Sequence, residues 1–95
     1  MSTRADRIAT RLTEVFAPLR LEVLDESARH AGHAGAREGG ETHYAVLVVS
    51  AGFEGQARIA RSRAVHAALA TEFADGLHAL SLTLRTPAEQ AAAGG

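Results

Sequence analysis

The fold of this chain is constrained most by an uninterrupted apolar run, T-H-Y-A-V-L-V-V-S at residues 42–50. The run is rich in β-branched residues, and this pattern predicts a strand that is buried on both faces. The segment L-R-L-E-V-L-D at residues 19–25 alternates apolar with charged side chains, which predicts a half-exposed strand. The segment L-H-A-L-S-L-T-L-R at residues 77–85 alternates in the same way and predicts a third strand.

Two further segments have helical spacing. Residues 4–17 form an amphipathic pattern that ends before Pro18, with Arg4 and Arg7 on its polar side, and residues 57–74 repeat the spacing as far as a glycine. The predicted order is therefore α-β-β-α-β. The first two strands would pair as a hairpin and the third would enter in parallel after a helical crossover. We expect an α+β fold in which helices cover one face of a three-stranded mixed sheet.

Composition excludes several classes of protein. The 95 residues contain no cysteine, so the chain can form no disulfide and offers no thiolate ligand, and no apolar run is long enough to cross a membrane. No signal peptide is recognised, so we expect a cytoplasmic protein. The net charge of −1 argues against strong non-specific binding to a polyanion. We expect one domain over residues 1–87 and a short flexible tail over residues 88–95, either one helical turn or frayed.

Histidine is the residue type that points most directly to function. His30, His33 and His43 lie in or beside a glycine-rich loop at residues 26–41, and His78 opens the last strand. Imidazole is the commonest metal ligand in proteins. A loop histidine together with His78 gives two nitrogen ligands, which are too few to close a tetrahedral site, so other residues or a partner must complete it. The alternative for His78 is a partly buried histidine that is hydrogen-bonded to a neighbour.

The second helix begins with three arginines, Arg58, Arg61 and Arg63. They predict either a basic patch for nucleic acid, a surface for an acidic protein or a solvated helix face. G-F-E-G at residues 52–55 matches the GXXG nucleotide clamp, but its glutamate would repel a phosphate, so we expect a tight turn with Phe53 in the core. No nucleophile or zinc-hydrolase motif is present, and we expect no enzymatic activity.

Several motifs, in this order along the chain, resemble the BolA family. They are D-E-S-A-R-H-A at residues 25–31, E-T-H-Y at 41–44, V-V-S-A-G-F-E-G at 48–55, R-S-R-A-V-H-A-A-L-A at 61–70 and L-H-A-L at 77–80. The resemblance covers about residues 5–87. It implies a fold similar to a class II KH domain and a partnership with monothiol glutaredoxins.

The resemblance also implies a metal site. In the hetero-complexes of this family, a [2Fe–2S] cluster is held by a glutaredoxin cysteine, a glutathione thiol and residues of the BolA protein. The C-terminal histidine of the family corresponds to His78. The second ligand comes from the long loop, as cysteine in one subgroup and histidine in another, and this cysteine-free chain resembles the histidine subgroup. His30 is the expected loop ligand and His43 is the alternative. His33 is the second histidine of the segment H-A-G-H at residues 30–33.

Two positions depart from the family pattern: Ser62 replaces a histidine, and Gln90 replaces a common aromatic residue. The expected function is that of an adaptor in iron–sulfur cluster assembly, transfer or iron and redox sensing, which carries no cluster when isolated. The alternative is a DNA-binding transcriptional regulator of the stress response that uses the KH-like surface with Arg58, Arg61 and Arg63. Alone, the protein is expected to be a monomer or a weak homodimer.

Overall fold

The computed structural model describes residues 3–26 and 43–94, which form four α-helices and three strands. In chain order these are α1 (Arg4–Phe16), β1 (Arg20–Asp25), β2 (His43–Val49), α2 (Arg58–Ala68), α3 (Ala70–Ala74), β3 (Ala79–Arg85) and α4 (Pro87–Ala92). The α+β class is confirmed. The helix predicted over residues 57–74 is divided at Leu69, whose backbone leaves helical geometry while its side chain stays in the core. Within the described ranges, no helix has the length and apolar character needed to span a membrane.

β2 is the central strand of the sheet. It pairs antiparallel with β1 and parallel with β3, as the predicted hairpin and crossover require. β1 therefore ends at the same edge of the sheet at which β2 and β3 begin. Asp25, His43 and Ala79 mark this edge.

The helices pack against one face of the sheet. The core contains Ile8 and Leu12 from α1, alternate residues of β2, and side chains from α2 and the connecting segments. On the opposite face of β2, Ala45 and Leu47 are only half-buried. The prediction that the 42–50 strand is buried on both faces is therefore wrong, because helices cover the sheet from one side only.

The G-F-E-G segment forms a tight turn, as predicted. Phe53 is fully buried, and its ring centroid lies 5.1 Å from that of Phe16. The Ser50 hydroxyl donates to the Phe16 carbonyl (2.7 Å) and accepts from the amide of Gly52 (3.0 Å). Gly55 has φ 77°, a left-handed conformation that favours glycine. The two glycines therefore serve the turn, and Phe53 fills the core.

The sequence allowed either one helical turn or a frayed tail after residue 87. In the structure the chain continues there as the helix α4. Thr86 and Glu89 form a capping box: the Thr86 hydroxyl accepts from the Glu89 amide (3.1 Å), and the Thr86 amide donates to the Glu89 carboxylate (2.8 Å). Pro87 occupies the first helical position. The same carboxylate accepts from Arg61 of α2 (2.6 Å), which docks α4 on the domain.

Docking of α4 is expected to weaken in acid. Hydrogen bonds from the Arg61 side chain and the Thr86 backbone lower the pKa of Glu89 from 4.5 to about 2. A carboxylate with a lowered pKa stabilises the folded state above its unfolded pKa, so this contribution is lost as the pH falls from about 4.5 to 2. The hydrogen-exchange protection factors of the α4 amides should fall in that window in the native protein and show no such step in a Glu89→Gln protein. Identical acid profiles for the two proteins would contradict this assignment.

Candidate metal centre

Two of the predicted ligands, His43 and His78, lie side by side. Their ring centroids are 5.2 Å apart and the ring planes are inclined by 50°. The parallel pairing of β2 with β3 brings them together, because His43 is in register with Ala79, the residue that follows His78. The two imidazoles thus meet at the edge of the sheet where both strands begin.

His78 is placed differently from its prediction. It precedes β3 rather than opening it, and its side chain is exposed. The alternative of a partly buried histidine is therefore also wrong. Its neighbour Leu77 is buried and donates its amide hydrogen to the Glu72 carbonyl (2.9 Å), so the backbone before His78 is fixed. The backbone at His78 is thus anchored by the preceding residue, while its imidazole is exposed to solvent.

A buried ionic cluster holds the segment before His78. Nη1 of Arg4 donates to the Glu72 carboxylate (2.8 Å) and to the Glu72 carbonyl (3.1 Å), while Nη2 donates to the Asp75 carbonyl (3.1 Å). Arg7 donates from Nε to the same carboxylate (3.0 Å). The side chains of Arg4 and Glu72 are only 8% and 10% exposed. Through these contacts, α1 fixes the end of α3 from which the His78 loop departs.

The spacing of the two histidine rings matches that of two imidazoles bound to one metal ion. Metal–imidazole bonds of about 2.0–2.1 Å place two rings bound to one ion roughly 5 Å apart, close to the spacing of His43 and His78. Within residues 3–26 and 43–94, no group of three or more histidine, aspartate or glutamate side chains is arranged to hold a metal. The described residues therefore bring two imidazoles together, fewer than the four ligands of a closed tetrahedral site.

The remaining predicted ligands, His30 and His33, lie outside the described residues. The surface beside His78 has a shallow depression of about 450 Å³ that includes Phe73 and Asp75. His78 itself lines this depression.

The three arginines near the start of α2 do not form one surface patch. Arg61 is 7% exposed and donates to the Leu84 carbonyl (3.2 Å) and to the Glu89 carboxylate (2.6 Å). It is therefore a structural residue that links α2 to β3 and α4, and its charge is balanced. Of the predicted nucleic-acid-binding set, Arg58 and Arg63 are exposed.

Fold and site together define a small α+β domain in which a half-buried His43 and an exposed His78 lie side by side where two strands of a mixed sheet begin. Comparison with known protein families shows to which family this domain belongs. The family model described as BolA-like protein matches residues 12–89. The chain belongs to the BolA family.

Two relatives from Arabidopsis thaliana show how the domain is used elsewhere. The chain is 43% identical to Protein BOLA1, chloroplastic, over 91 residues, which are 94% of this chain and 57% of that protein. It is 41% identical over 93 residues to SufE-like protein 1, chloroplastic/mitochondrial, which are 94% of this chain and 25% of that protein. The chain thus spans about half of one relative and a quarter of the other.

Solved structures agree with this domain assignment. Those of BolA1 and of the BolA domain of SufE1, both from Arabidopsis thaliana, each give a TM-score of 0.83, with 42% and 40% identity. The matches cover 94% of this chain and 97% and 98% of the two structures. The predicted family and the mixed three-stranded fold are therefore confirmed.

Proposed function

We propose that this chain is an adaptor that binds a monothiol glutaredoxin and shares a [2Fe–2S] cluster with it, in cluster assembly, transfer or iron and redox sensing. The observation that carries the proposal is the pair of imidazoles, His43 and His78, whose ring centroids lie 5.2 Å apart at an accessible edge. The chain has no cysteine. In a [2Fe–2S] cluster two imidazoles can fill the two terminal positions of one iron, and the other iron, to which this chain offers no ligand, would take the glutaredoxin cysteine and the glutathione thiol.

The donor set fits one iron of such a cluster. Two histidine ligands on one iron, as in Rieske centres, raise the reduction potential relative to all-cysteine ligation, so a cluster bound here would supply one-electron chemistry at a raised potential. His78 would bind from the exposed loop. The 5.2 Å spacing of the rings supports His43, at the start of β2, as the second ligand in place of His30, the loop ligand that the family resemblance implied. Strand pairing fixes the backbone of His43, and the buried Leu77 fixes the backbone of His78.

The relatives support a role as a module that can be combined with other domains. The matched region makes up a quarter of the SufE-like protein, and the solved structure of SufE1 contains it as a BolA domain. A domain that forms part of a longer protein in one relative is suited to present a binding surface to a partner. This supports a binding module that can be joined to other domains.

Reconstitution tests the proposal directly. The protein is mixed with a monothiol glutaredoxin, glutathione, ferrous iron and sulfide, and the cluster is followed by visible absorption and circular dichroism. His78→Ala is expected to abolish the spectrum of the hetero-complex and leave that of the glutaredoxin alone, because an iron ligand is lost. His66→Ala is the matched control, since His66 is also exposed but stacks on Phe73 instead of on a second histidine. An unchanged spectrum in the His78→Ala protein would overturn the ligand assignment.

The second ligand is identified by cysteine exchange. We expect His43→Ala to lose the cluster and His43→Cys to restore it with shifted absorption bands and a lower potential, because a thiolate replaces a neutral imidazole. The same two substitutions at His30 are expected to leave the spectrum unchanged. Loss and rescue at His30 instead would assign the second ligand to the loop and refute His43.

DNA binding by a transcriptional regulator stays a prediction. The burial of Arg61 leaves Arg58 and Arg63 as the exposed members of the proposed patch, on a chain of net charge −1. Phosphate contacts weaken steeply with added salt, whereas metal ligation does not.

A further inference from the structure

A groove at the far end of β3 from His78 has no role in the proposed function. Its volume is about 530 Å³, and its lining includes Arg58 and Ser62 from α2 and Arg85 from β3. The groove-lining residues of β3 run from Leu82 to Arg85, which at about 3.3 Å per residue places them roughly 13–23 Å from His78 along the strand. It is therefore a separate surface.

The groove is cationic. Three arginines and one glutamate line it, a net charge of +2 on a chain whose net charge is −1. Arg61 and Glu89 neutralise each other. Arg58 is exposed and forms no ion pair with any residue of the described ranges. Arg85 is half-buried and is oriented by a bond from its Nη1 to the Gln90 side chain (2.8 Å).

One side of the groove is an open strand edge. In the described sheet the order is β1-β2-β3, so β3 has β2 on one side only. The Ser50 amide donates to the Arg85 carbonyl (2.9 Å), so the backbone groups of Arg85 face β2. The carbonyl of Leu84 faces the other way, where it accepts from Arg61. Because the orientation alternates along a parallel strand, the N–H and C=O of Leu82 also face outward, beside the groove that Leu82 lines.

We propose that this groove binds an extended acidic peptide of a partner protein, which adds as a strand to β3. Strand addition uses main-chain hydrogen bonds for affinity and alternate side chains for specificity. The outward groups of Leu82 and the amide of Leu84 pair with the peptide backbone, and carboxylates on one side of the peptide meet Arg58 and Arg85. Arg63, the other exposed arginine of α2, does not line the groove, which separates this surface from a general polyanion patch.

The test uses a fluorescein-labelled peptide of four Glu-Val repeats and anisotropy with the full chain. Arg58→Glu is expected to weaken binding about tenfold, because one attractive contact becomes repulsive. Arg63→Glu is the matched control and should change affinity less than about twofold. Equal weakening of peptide binding by the two substitutions would overturn the assignment of the binding site to this groove. Tighter binding of a DNA oligonucleotide of the same charge would also overturn it and favour nucleic acid.

Strand addition is tested by modifying the peptide backbone, so that the protein is used without substitutions. Two versions are N-methylated, one at the glutamates and one at the valines. Only one set of amides can face β3, so one version is expected to lose binding and the other to keep it. The amide resonances of Leu82 and Leu84 should shift on binding. Equal binding of both versions would show a purely electrostatic contact and overturn the proposal. The His78→Ala protein should bind the peptide normally, whatever the outcome of cluster reconstitution.

Discussion

Replacing Glu72 by alanine is expected to destabilise the fold by about 3–5 kcal/mol, because removing one partner of a buried ion pair leaves its counter-charge uncompensated. The Glu72 carboxylate accepts from Arg4 at 2.8 Å and from Arg7 at 3.0 Å. Asp75 offers only a distant replacement, with its carboxylate 3.7 Å from Arg4 and largely exposed. Since domains of this kind are stable by about 5–15 kcal/mol, the loss would be a large part of the total. Urea denaturation followed by far-ultraviolet circular dichroism measures it.

A double variant separates loss of charge from loss of packing. Arg4→Met with Glu72→Leu removes both charges and keeps most of the volume, so it is expected to recover most of the stability lost in Glu72→Ala. Because Arg4 also binds the Asp75 carbonyl, the double variant should still assemble less cluster with a glutaredoxin than the native protein does. A Glu72→Ala protein as stable as the native one would show that the ion pairs of Glu72 contribute nothing to the stability of the fold.

Replacing Phe53 by alanine is expected to cost about 3–5 kcal/mol, the range for a large aromatic side chain removed from a core. Phe53 is fully buried, its ring lies 5.1 Å from that of Phe16, and the Arg61 guanidinium is 5.8 Å from its centroid. The cavity would therefore loosen both the packing of α1 and the arginine that joins α2 to β3 and α4.

The neighbouring residue provides the control for this prediction. Glu54→Lys lies in the same turn on an exposed side chain, and its effect on the free energy of unfolding should stay within about 0.5 kcal/mol. Both proteins are compared by urea denaturation at neutral pH. If the two substitutions cost the same, Phe53 would not be the core residue that its burial indicates.

Local patterns predicted the elements well. The alternation in β1 and β3, the apolar run of β2 and the helical spacing of residues 4–17 each depend on side chains close together in the chain, and all correspond to observed elements. Glu89 is different, because its capping role in α4 was readable in T-P-A-E at residues 86–89 but its ion pair with Arg61 was not.

The roles of the arginines show where sequence reasoning ended. Arg61 stands four residues before Val65, on the helical stripe that faces the core, and this spacing was the available signal that it is buried. Arg4 gave no such signal. It lies on the polar side of its helix in sequence, yet it bonds Glu72, 68 positions away, so only the packing of α1 against α3 reveals it.

By itself, the sequence determined the order of the elements, the absence of any thiolate ligand and the set of histidines that could bind a metal, because these depend on residue identity and on spacing along the chain. The tertiary structure decided which of the described histidines meet. Parallel pairing of β2 with β3 places His43 beside His78, and the buried contacts of Arg4 and Leu77 set the loop that leaves His78 exposed. Strand register and helix packing join residues that are distant in the chain, and no local pattern encodes that contact.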